Sequence, residues 1–121
     1  MEKAKYYYET GQYKQAYKIA AEAFNEDVYN RMASTIMAQS KTSMKYEKYI
    51  KDAKKYLLEI NEIIAQDTIG NAEKSKIKLM SEIMVESYIK LAPSVITDKK
   101  LVQSAATYHD EFEKILEKVD H

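Results

Sequence analysis

Only three positions in this chain of 121 residues disfavour a right-handed helix by their covalent nature: Gly11, Gly70 and Pro93. Between them, apolar residues recur three and four apart, the spacing of one helical face. Ala, Lys, Glu, Ile and Tyr are abundant and strand signals are nearly absent, so the chain is expected to be all-α. Its length suits one domain with its own core, without disulfides or metal. There is no cysteine, which excludes a disulfide framework and thiol chemistry.

The periodicity predicts six helices, at about residues 2–9, 12–25, 27–40, 44–66, 72–91 and 99–119, in three antiparallel pairs. The first turn is Thr10-Gly11-Gln12. Asp27 is the expected cap or first-turn acid of the third helix, whose apolar residues are Val28, Met32, Ala33, Ile36, Met37 and Ala38. A turn at Ser40-Lys41-Thr42-Ser43 follows, with Thr42 or Ser43 as N-cap of the fourth helix. That helix carries Tyr49, Ile50, Ala53, Tyr56, Leu57, Ile60, Ile63 and Ile64 on one stripe. Gly70 and Asn71 suit a left-handed backbone in the next loop. The fifth helix points Ile77, Met80, Ile83, Met84, Ser87, Tyr88 and Leu91 inward, and Pro93 stops it. Ser94-Val95-Ile96-Thr97 connects to the sixth, capped by Thr97 or Asp98. Its stripe runs from Leu101 and Val102 through Ala105, Tyr108 and Phe112 to Ile115, Leu116 and Val119.

Within the first pair, Ala4, Tyr7 and Tyr8 face Tyr13, Ala16, Tyr17, Ala20, Ala23 and Phe24. Small residues let the axes approach and aromatics fill the grooves. Ala4, Tyr7, Gly11, Tyr13, Ala16, Ala20 and Ala23 resemble a tetratricopeptide repeat, the helix–turn–helix unit of about 34 residues. Ala38 follows Ala4 by 34 residues and Ala53 follows Ala16 by 37, so three extra residues near Ser40–Ser43 would reconcile a second unit. Asn25-Glu26-Asp27-Val28 stands where the family usually has proline. A third unit around Val85, Tyr88, Ala92 and Ala105 is stretched by the connection after Ala92. The resemblance implies a right-handed superhelix; a compact helical bundle is the alternative.

Catalysis is not expected. The two histidines, His109 and His121, have no nucleophile and acid in a recognisable order, and no glycine-rich loop could cradle phosphate. His109, Asp110 and Glu113 share part of one helix, but a solvated charged face is the simpler reading. Glu82 and Glu86 lack the Glu-x-x-His partners of a helical di-metal site. No cofactor and no metal is therefore expected. Nineteen basic and nineteen acidic residues balance, which disfavours general capture of nucleic acid. Lys45, Lys48, Lys51, Lys54 and Lys55, beside Tyr46 and Tyr49, form the richest basic stretch. It reads as a solvated face with internal ion pairs. Arg31 is the one arginine. No apolar run reaches the length of a membrane span. A chain complete as given is expected in the cytoplasm; an excised domain leaves the compartment open. A short, uncapped opening helix fits a domain cut from a longer solenoid.

Eleven tyrosines supply contact area at small entropic cost. Tyr7, Tyr13, Tyr17, Tyr56, Tyr88 and Tyr108 are expected to pack; Tyr8, Tyr29 and Tyr46 are the better surface candidates. The expected function is non-catalytic binding of a protein or peptide on the concave face made by the first helix of each pair. By the repeat register that face holds Lys5, Tyr8, Glu9, Thr35, Gln39, Thr42, Glu86 and Ile89. The carboxylate grip of some family members is not carried over, because Lys5 stands where it wants Asn, and Asn30 and Arg31 come too early. The alternative is a structural segment of a larger secretion, motility or envelope assembly, or a self-associating subunit.

Overall fold

A computed structural model describes residues 1–93 and 97–120. The described residues form five helices: α1 (Glu2–Glu9), α2 (Tyr13–Glu26), α3 (Arg31–Ile64), α4 (Asn71–Ile89) and α5 (Lys99–Asp120). Among the described residues there is no strand. The all-α expectation holds, but the helix count is five rather than six. The predicted third and fourth helices are one continuous helix of 34 residues.

The missing break has a physical cause. Ser40 and Ser43 are fully buried and their hydroxyls have no hydrogen-bond partner among the described residues, so neither side chain is used to cap or break the helix here. Serine and threonine are only mildly poor helix formers, and no glycine or proline interrupts the ladder here. The helix starts later than expected. Asp27 does not cap it; its carboxylate accepts the Tyr29 N–H at 3.0 Å in the preceding turn. Asn30 is the cap, its side-chain oxygen accepting the Ala33 N–H at 3.0 Å. Val28 thus lies outside the helix, and it is exposed rather than inward.

The chain divides into two compact units. The first comprises Met1–Lys45 and Pro93–Lys99, the second Tyr46–Ala92 and Lys100–His121. In the first, α1 ends in a Schellman turn. Gly11 N–H donates to the Tyr8 carbonyl at 3.1 Å, and Gln12 N–H to the Tyr7 carbonyl at 2.8 Å. This geometry needs a left-handed residue, and Gly11 has φ 80°. The reversal lays α1 against α2, with Ala4, Ala16 and Ala20 excluded from solvent and Ile36 of α3 completing the cluster. Tyr7, Tyr8, Ile19 and Met37 pack around it.

The second unit is a three-helix cluster. It joins Tyr46, Tyr49, Ala53, Ile60 and Ile63 of α3 to Ile77, Met80 and Met84 of α4, and to Ala105 and Phe112 of α5. Tyr46, expected at the surface, is 2% exposed. The turn into α4 also differs from expectation. Gly70 is extended (φ −89°, ψ −176°), not left-handed, and caps α4 while its N–H donates to the Glu73 carboxylate at 3.1 Å. Ile64 and Ile83, both expected inward, are exposed. The predicted connector at Ser94, Val95 and Ile96, and His121, lie outside the described residues.

Candidate interaction surface

Six of the eight residues expected on a binding face belong to the first unit. Lys5 and Glu9 project from successive turns of α1, 63% and 61% exposed, with charged atoms 4.0 Å apart. Such an exposed pair contributes little to stability, so both side chains are available to a ligand. Tyr8 sits differently. It is half-buried, its ring edge-on to Tyr13 at 5.3 Å, and it packs against the alanine cluster. Thr35 is exposed on α3, while Gln39 and Thr42 are half-buried. Thr42 lies inside α3 and caps no helix. Glu86 and Ile89 belong to α4 in the second unit, both exposed, Ile89 by 78%.

The periodicity missed a cluster of exposed apolar side chains at the α2–α3 turn. Val28, Tyr29 and Met32 are 59%, 88% and 51% exposed. Val28, Tyr29, Asn30, Arg31, Ser34 and Thr35 line a concavity of about 350 Å³ there. Thr35 thus joins a hollow edged by a protruding tyrosine and the one arginine. The signal for Tyr29 was legible, because it falls off the apolar stripe. That for Val28 and Met32 was not, because their spacing also suits an inward face.

The basic stretch of α3 is solvated: Lys45, Lys48, Lys51, Lys54 and Lys55 are all exposed. Lys48 pairs with Asp52 at 2.8 Å, and that hydrogen bond raises the lysine's pKa. Tyr46 and Tyr49, the candidate stacking platforms, are buried. Burial, and secondarily Tyr88, push both phenols up. Tyr49 donates its hydroxyl to the Met84 carbonyl at 3.0 Å.

Asp110 and Glu113 are exposed, 72% and 54%, as a solvated charged face requires, but His109 is not. Its side chain is 17% exposed and stacks on Tyr88, with centroids 4.1 Å apart and planes 19° from parallel. Glu113 lies 2.9 Å from Nε2 and Asp110 3.7 Å from Nδ1. The donors of His109, Asp110 and Glu113 fall within 4.8 Å of one another. With the two carboxylates on opposite ring nitrogens, one ion would meet only one nitrogen and one carboxylate at close range. Zinc sites take three or four protein ligands. The arrangement fits an imidazole stacked on Tyr88 and held by Glu113 alone better than a chelate. No helix among the described residues is long and apolar enough to cross a membrane. Comparison with protein-family models, curated proteins and solved structures finds no match.

Proposed function

We propose that this chain is a non-catalytic protein-interaction module that binds a peptide or protein segment on its first unit. In this reading α1 and α2 form one tetratricopeptide-like pair, and the start of α3 acts as the first helix of the next. The observation that carries it is the placement of Lys5, Glu9 and Thr35 as exposed side chains on these two helices. The solvent-excluded alanines between α1 and α2 support the repeat-like packing. Exposed Tyr29, Val28 and Met32 add the apolar and aromatic anchors that binding surfaces favour.

The test is selection of peptides from a displayed library against the full chain, followed by titration with variants. Lys5→Ala, Thr35→Ala and Tyr29→Ala are each expected to weaken a selected peptide by about tenfold or more. Peptides indifferent to all three, or no selected peptide at all, would reject the surface.

A further inference from the structure

The outward face of α4 carries a second pattern. Ala72, Lys76, Leu79, Ile83 and Glu86 are spaced alternately four and three apart, the spacing of a two-helix coiled-coil seam, with Leu79 and Ile83 as an apolar centre between charged residues. All five are exposed. Leu79 and Ile83, at its centre, are 58% and 39% exposed. A neighbouring stripe of α4 supplies Ile77, Met80 and Met84 to the core, and Leu79 and Ile83 are not among the residues of that cluster.

Charge decides what fits this seam. A two-fold axis beside Ser81 would set Leu79 against Ile83 of a second, antiparallel α4. The same axis sets Lys76 against Glu86, and Glu86 against Lys76. A parallel partner would oppose lysine to lysine and glutamate to glutamate. The seam is therefore self-complementary in one orientation only, as an isologous contact between identical chains must be. We propose that two copies of this chain associate through antiparallel α4 helices, centred on Leu79 and Ile83 and aligned by Lys76 and Glu86. The contact is small, so the dimer is weak; its flanking ion pairs make it weaker in salt. The inference is independent of peptide binding on the first unit.

Sedimentation equilibrium on the full chain, from micromolar to millimolar concentration, tests it. The expected result is a monomer–dimer equilibrium that shifts toward monomer as salt rises. Leu79→Lys with Ile83→Lys is expected to raise the dissociation constant by at least about tenfold. Circular dichroism should show an unchanged fold, since both side chains are exposed. Lys76→Glu alone and Glu86→Lys alone should each weaken the dimer, and the two together should restore it. A monomer throughout the range overturns the proposal, as does a dimer that survives the double lysine variant. Failure of the charge exchange to restore association overturns the antiparallel register. Peptide titrations of the Lys5 and Thr35 variants use the other unit, so either proposal can fail alone.

Discussion

Gly11 shows how one backbone angle supports a whole hairpin. A Cβ there would meet no atom within 4 Å, so replacement meets only the cost of φ 80°. Gly11→Ala is expected to destabilise by about 1 kcal/mol, measured as a lowered urea midpoint. Asn30→Ala should also cost about 1 kcal/mol by removing the cap on α3, with Asn30→Gly milder. Tyr49 gives stability a pH dependence. Its phenol stays protonated in the fold above the ordinary value of about 10. Above that pH the unfolded chain releases a proton the folded chain keeps, so stability is full below about pH 10 and falls as pH rises. Tyr49→Phe should flatten that alkaline decline without abolishing it, because Tyr46 is shifted the same way. At neutral pH the same change should cost about 1 kcal/mol, the lost hydrogen bond to the Met84 carbonyl.

At the scale of the element, α3 is the decisive case. The stretch Ser40-Lys41-Thr42-Ser43 has the composition of a turn and the structure of a helix interior. Lys41 is exposed, so substitution there probes the backbone rather than packing. In a turn Lys41→Pro would be nearly silent. In α3 it removes a ladder hydrogen bond and clashes with the preceding turn, at a cost of about 3 kcal/mol or more. Urea denaturation followed by circular dichroism separates the two outcomes. The alanines at the repeat offset do not establish a second hairpin, because alanine suits any closely packed helix.

Across the whole molecule, two clusters rest on different chemistry. The first unit brings helices together through alanines, with tyrosines at the rim. The second is filled by larger side chains, and Phe112 is the largest of those fully buried. Phe112→Ala is expected to cost about 3–5 kcal/mol, read from chemical denaturation, because Phe112 is fully buried in a cluster drawn from three helices.

The helical class, the ends of α1, the turn at Gly11 and the apolar stripes that became Ala16–Ala20 and Ala105–Phe112 are all readable along the chain. These follow from local steric preference and a period of three to four residues, which need no distant partner. Packing between distant residues set the rest: Ser40 and Ser43 lie inside one helix, and Tyr46 points inward while Val28 and Met32 face solvent. It also decided that His109 packs on Tyr88. For Tyr46, which is buried, local preference is worth a few tenths of a kcal/mol to about 1 kcal/mol, less than the burial that overrides it. Of the expected binding face, Lys5, Glu9 and Thr35 were legible as polar positions off the apolar stripe. The burial of Tyr8 was not, because it depends on Tyr13 across the turn.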